Sequence, residues 1–111
     1  MGFDLWPLYD YYFCFLNLTV YISHMTHFVY MLECAGNRIY TGYATDVEKR
    51  YQKHCEGKGA HFTKVFPPQR ILKIFETETK SEALSLEFKI KQLPKPKKKL
   101  LILGQLEISF P

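Results

Sequence analysis

Two runs rich in β-branched and aromatic residues, His27–Cys34 and Arg38–Tyr43, are separated only by Ala35-Gly36-Asn37. Both runs read as strands, and the glycine and asparagine between them supply turn chemistry. A β-hairpin follows from that arrangement. It fixes the geometry from His27 to Tyr43 and brings Tyr30 and Tyr40 nearly across from each other, close enough to share one site.

Beyond the hairpin, Thr45-Asp46-Val47-Glu48 has the form of a capping box with Thr45 as the expected N-cap. The helix it opens is expected to run to about Glu56, where Gly57 stops it. Val47, Tyr51 and Cys55 recur every four residues as its expected buried stripe. Arg50 and His54, also four apart, are expected along one edge of that stripe, between core and solvent. Gly57–Pro68 is expected to be a basic loop carrying Lys58, His61 and Lys64, closed by Pro67-Pro68. Arg70–Thr77 reads as a third strand. Thr79-Lys80-Ser81-Glu82 is a second capping box, and its helix is expected to reach Leu93, where Pro94 breaks it. Ala83, Leu86, Ile90 and Leu93 make the inner face, with Glu87 beside it. A carboxylate next to an apolar face is costly unless satisfied, and Lys91 at i+4 offers only a weak partner. The basic segment Lys95–Lys99 then leads into a short apolar tail expected to form a last helix.

Composition bounds the organisation. With 111 residues, 47% hydrophobic and 16% aromatic, the chain suits one small globular domain. Its net charge of +4 is unevenly placed: residues 1–24 hold Asp4 and Asp10 and no Lys or Arg, leaving all 15 basic residues downstream. Such an imbalance suits a polyanionic partner. The aromatic-rich tract 1–24 has no clear periodicity, and its apolar run Tyr11–Ile22 falls short of the roughly 20 residues that span a bilayer. It is expected to be an extension outside a domain covering 25–103, with 104–111 as a tail and no membrane partner. Cys14, Cys34 and Cys55 lack metal-ligand or disulfide spacing, which fits reduced thiols in the cytoplasm, Cys34 and Cys55 being expected as buried small hydrophobes. Neither GxGxxG nor GxxxxGK[ST] occurs, so no nucleotide cofactor is indicated.

The polar residues Tyr30, Tyr40, Arg50, His54 and Glu87 can together supply the roles that phosphodiester hydrolysis requires. A tyrosine can position or deprotonate water, an arginine can hold a phosphate, and a carboxylate can hold a divalent metal. Singly, each has an ordinary reading as a strand aromatic, a helix-surface charge or a packed histidine. Their order is more informative. Val29-Tyr30, Tyr40-Thr41-Gly42, the segment Asp46–His54 with its Arg50, Gly57-Lys-Gly-Ala60, Ser81–Leu84 and Glu87 together resemble the GIY-YIG nuclease superfamily, and in particular its small stand-alone bacterial members.

That resemblance covers about residues 26–103 and implies a small α/β (α+β) domain, a three-stranded antiparallel sheet flanked by helices. It implies a metal-dependent endonuclease. Tyr30 and Tyr40 match the tyrosines of its two motifs, one acting as or orienting the base that activates water. Gly42 lets the backbone pass close to the site. Arg50 matches the arginine that binds the scissile phosphate, His54 the helix histidine that assists positioning or proton transfer, and Glu87 the carboxylate for one Mg²⁺ or Mn²⁺. DNA is the implied partner, branched or damaged DNA among the candidates, with RNA as the alternative polyanion. Lys58, Lys64, Lys97 and Lys98 are candidates for sequence-independent contact with its backbone. Two departures stand out: the first motif reads Phe28-Val29-Tyr30 without its glycine, and no asparagine follows Asn37. They leave room for a non-catalytic nucleic-acid-binding module that retains the fold. A protein-interaction module docking through the aromatic tract is the third alternative.

Overall fold

The structure is a computed structural model that describes residues 26–108; the expected extension, 1–24, lies outside the described residues. In chain order the elements are β1 (His27–Cys34), β2 (Arg38–Ala44), α1 (Val47–Cys55), α2 (His61–Val65), β3 (Pro68–Thr77), α3 (Lys80–Gln92) and α4 (Lys95–Ile102). The three strands form one antiparallel sheet in the order β2-β1-β3, flanked by helices, as expected. Gly36 and Asn37 both take left-handed backbone angles at the hairpin turn, with φ of 77° and 59°. Glycine and asparagine are the residues that tolerate this region, which a sharp return between twisted strands demands.

The central strand is covered on both faces, because side chains alternate along it and helices lie to either side. Val29 and Met31 point into one layer with Ala83, Leu86 and Ile90 of α3 and Leu101 of α4. Tyr30, Leu32 and Cys34 point into the other with Ala44 and Val47, backed by Tyr40, Tyr51, Phe62 and Phe66. Each such fully buried side chain contributes about 1.5–3 kcal/mol, so β1 is the principal anchor of the fold. Pairing of β1 with β3 shifts register after Met31 and again after Glu33, a bulged edge that lets Leu72 join the α3 layer.

Several local expectations are corrected. The N-cap of α1 is Asp46, whose carboxylate accepts from the Lys49 N–H at 3.0 Å, and Thr45 lies one residue outside the helix. An acidic cap also complements the positive end of the helix dipole. The buried residues of α1 are Val47 and His54, with Tyr51 half-buried and Cys55 exposed. At 3.6 residues per turn, a step of eight rotates Cys55 about 80° away from Val47, whereas a step of seven returns His54 to within about 20°. His54 is thus a core residue and not an edge one. The expected loop 57–68 contains α2, after Gly57 reverses the chain at φ 76°. β3 begins at Pro68, ahead of Arg70, which is tolerated because it opens an edge strand. The lysine run 95–99 lies inside α4, with Pro96 in the first turn where its missing N–H is harmless.

The second capping box forms as expected: Thr79 Oγ1 accepts from Glu82 N at 3.1 Å, and Glu82 Oε1 accepts from Thr79 N at 3.2 Å. Past the last helix, Leu106 and Ile108 pack against the α3–α4 layer. Among the described residues no helix is long and apolar enough to cross a membrane.

Candidate active site

The hairpin register sets Tyr30 opposite Gly42 and Leu32 opposite Tyr40, so the two tyrosines are diagonal neighbours on one face of the sheet. Their rings are 6.3 Å apart between centroids. Gly42 has a direct steric role: a Cβ there would lie 2.5 Å from the Tyr30 hydroxyl and 3.0 Å from Cε2 of Tyr40. The Tyr30 side chain can cross over β2 only because residue 42 has none.

From α1, His54 turns inward onto this pair. Its Nε2 is 2.7 Å from the Tyr30 hydroxyl, and its ring packs edge-on against Tyr40 at 5.1 Å. Tyr30 and His54 are each only 1% exposed. On its far side, His54 Nδ1 lies 2.7 Å from Thr63 Oγ1 of α2, and Thr63 donates to the Ala60 carbonyl at 3.0 Å. Phe62, next to Thr63, stacks on Tyr40 at 5.7 Å. Gly59 lies against the imidazole, where a Cβ would fall 2.4 Å from Nδ1. Thr63 and Gly59 carry no role in the sequence reading. The available signal was the histidine on the Val47 stripe: a buried imidazole needs a partner at both nitrogens, and the short α2 segment following the glycines is placed to give one.

Charge shapes this cluster. Burial raises the phenol pKa of Tyr30, the neighbouring Tyr40 and Glu87 push it further up, and the Arg50 guanidinium pulls it back down. Tyr40 follows the same pattern, with burial first, Glu87 raising and Arg50 lowering. His54 moves the other way: burial and the Arg50 charge both hold its pKa below 6.5. Arg50 itself is exposed on α1, and Glu87 is contributed by α3 from the other helical layer. Two helices from different layers thus each bring one charge close enough to bias both tyrosines, in opposite directions.

The Glu87 side chain is 18% exposed and pairs with the half-exposed Lys91 at 3.3 Å. Among the described residues no three His, Cys, Asp or Glu side chains cluster as a complete metal cage. A lone carboxylate of this kind fits a hard, oxygen-seeking divalent ion that keeps water and takes further oxygens from a phosphate. It does not fit a structural zinc site, which needs four protein ligands. A surface ion pair such as Glu87–Lys91 is weak enough for an incoming ion to displace.

The candidate phosphate-contacting lysines divide between the layers. Lys58 directly precedes Gly59, and Lys64 follows Thr63, so both flank the tyrosine–histidine cluster, although Lys58 also lies 3.9 Å from Glu56. Lys97 and Lys98 sit on α4, which packs on the other face of the sheet.

With the three-stranded antiparallel sheet and its flanking helices in place, the family model of the GIY-YIG catalytic domain matches residues 26–100. The chain belongs to the GIY-YIG catalytic domain family, a nuclease superfamily. Its relatives include the UPF0213 protein BH0048 of Halalkalibacterium halodurans, 42% identical over 78 residues that cover 70% of this chain and 83% of that protein. A UPF0213 protein of Staphylococcus aureus is 47% identical over 77 residues, covering 69% of this chain and 94% of its own length. A solution NMR structure of the UPF0213 protein BH0048 from Bacillus halodurans aligns with a TM-score of 0.49 at 41% identity, over 73% of this chain and 86% of that one.

Proposed function

We propose that this protein is a metal-dependent endonuclease that hydrolyses phosphodiester bonds and nicks DNA. The observation that carries the reading is the 2.7 Å hydrogen bond between the buried Tyr30 hydroxyl and the buried His54 imidazole, within reach of the charges of both Arg50 and Glu87. Burying two polar rings, one on the central strand and one on α1, is costly, and apolar residues of similar volume would stabilise the core at least as well. Chemistry gives the pair its reason.

In this mechanism the Tyr30 oxygen takes a proton from the attacking water, and its own proton passes across the short bond to His54. Burial keeps His54 neutral near pH 7, the state in which it can receive a proton. Tyr40 bounds the pocket and helps orient the water. Arg50, exposed at the mouth, holds the scissile phosphate and offsets its developing negative charge. Glu87 would hold the divalent ion, Mg²⁺ or Mn²⁺, which supplies Lewis-acid stabilisation of the phosphate and the leaving oxygen. Lys58 and Lys64 add affinity for the sugar–phosphate backbone without reading bases.

The test is nicking of supercoiled plasmid by the full chain, with Mg²⁺ or Mn²⁺ against EDTA, beside Glu87→Ala and Arg50→Ala. Nicking is expected only with metal, and each variant is expected to lose about 10²-fold or more. Cleavage unchanged in both variants would belong to a contaminant, and the proposal would end there.

A second reading, a nucleic-acid-binding module without turnover, is favoured by the motif that lacks its glycine before Val29 and by the Lys91 ion pair on Glu87. It predicts salt-sensitive retardation of DNA on a gel with no metal-dependent nick.

A further inference from the structure

A neutral imidazole carries one proton, and which nitrogen holds it decides what His54 can do for Tyr30. With the proton on Nε2, His54 donates to the Tyr30 oxygen, the phenolic hydrogen must turn elsewhere, and no proton can leave Tyr30 along this bond. With the proton on Nδ1, Nε2 is a free acceptor 2.7 Å from the Tyr30 hydroxyl.

The surroundings of Nδ1 resolve the choice. Its partner is Thr63 Oγ1 at 2.7 Å, and that hydroxyl donates its single hydrogen to the Ala60 carbonyl at 3.0 Å. The oxygen therefore turns lone pairs toward Nδ1, and the hydrogen between them must come from the imidazole. Thr63 is itself 1% exposed, so water does not substitute for it readily. Gly59 completes the fit, because any Cβ at that position would stand 2.4 Å from Nδ1 and push the ring off Thr63.

We propose that Thr63 is a positioning residue of this site: its hydroxyl, committed to the Ala60 carbonyl, holds His54 as the Nδ1–H tautomer and so leaves Nε2 to receive the Tyr30 proton. Its catalytic consequence rests on the nuclease reading given above, whereas the tautomer itself does not.

Multiple-bond ¹H–¹⁵N NMR of the full chain, labelled at histidine and recorded near neutral pH, reads the tautomer directly. The wild-type protein is expected to show His54 with a protonated Nδ1 and an unprotonated Nε2. Thr63→Val, which keeps the shape and removes the acceptor, is expected to move the proton to Nε2, and Thr63→Ser to return it to Nδ1. A wild-type His54 protonated at Nε2, or a folded Thr63→Val protein that retains Nδ1–H, overturns the proposal. If Thr63→Val does not fold, the wild-type and Thr63→Ser spectra decide on their own. In plasmid nicking, Thr63→Val is expected to lower kcat about tenfold or more at unchanged KM, as removal of an orienting hydrogen-bond partner does, with recovery in Thr63→Ser. Absence of nicking by the wild-type protein would count against the nuclease reading and leave the spectroscopic result to judge Thr63.

Discussion

Gly42 and His54 show what single residues contribute here. Gly42 is needed for space and not for backbone flexibility, because the Tyr30 side chain occupies the volume its Cβ would fill. Gly42→Ala is expected to destabilise the protein by about 1–3 kcal/mol through forced displacement of that ring, and to abolish metal-dependent nicking. Urea unfolding beside the nicking assay checks both, and a variant with wild-type stability and activity would show that Tyr30 does not need this place. His54 makes a pH-dependent contribution. Its pKa in the folded protein lies below the ordinary 6.5, so the unfolded chain binds a proton more readily. Above about pH 6.5 both states are neutral and the residue adds no slope; as pH falls below that value the unfolded state gains a proton that the folded state resists, and stability declines. Urea titrations from about pH 7.5 to about pH 5 should therefore show a shallower decline in His54→Gln than in the wild type. Equal slopes would mean that His54 titrates normally when folded. The sequence pointed to both residues, but only the helix phase separates a core histidine from an edge one, and Thr63, nine residues further on, could not be tied to it before α2 was in place.

At the scale of elements, caps and turns were the most legible features, since they depend on residues within a few positions of one another. Thr79 caps α3 as its local pattern requires. Thr79→Ala is expected to lower stability by about 1 kcal/mol while leaving nicking intact, as measured by urea denaturation and plasmid assay. The first cap shows where such reading stops. Thr45 and Asp46 are both good N-caps, and α1 starts where Asp46 reaches Lys49 N. Asp46→Ala should accordingly cost about 1 kcal/mol and Thr45→Ala only a few tenths; the reverse order in denaturation midpoints would restore Thr45 as the cap. The short α2 was hidden because five residues show no period, and the last helix was expected only after the lysine run because Pro94 and Pro96 resemble a break when one of them opens a helix.

For the molecule as a whole, the sheet divides the basic residues between two sides. Lys58 and Lys64 flank the tyrosine–histidine cluster, and Lys97 and Lys98 lie on a helix of the opposite layer. If the substrate backbone crosses the tyrosine face, alanine at both Lys58 and Lys64 should weaken DNA retention and reduce the slope of log affinity against log salt by about 1–2. Alanine at both Lys97 and Lys98 should change that slope less. Equal losses from the two pairs would place DNA on both layers or across an edge. Gel retardation over a salt series, in EDTA to suppress turnover, makes the comparison.

Chain-local physics was settled by the sequence itself: the hairpin, the α3 capping box, the stop at Gly57, the uneven charge, and the order of tyrosine, arginine, histidine and glutamate that marks the family. Those features arise from neighbours in the chain, whose geometry the peptide bond and the helical and strand periods largely dictate. Only the tertiary structure decided that the central strand is covered on both faces, that His54 is buried between Tyr30 and Thr63, and that Glu87 and Arg50, on different helices, both bear on the same two tyrosines. Each of these depends on which surfaces meet across the sheet, and contacts between residues tens of positions apart leave no period in a sequence.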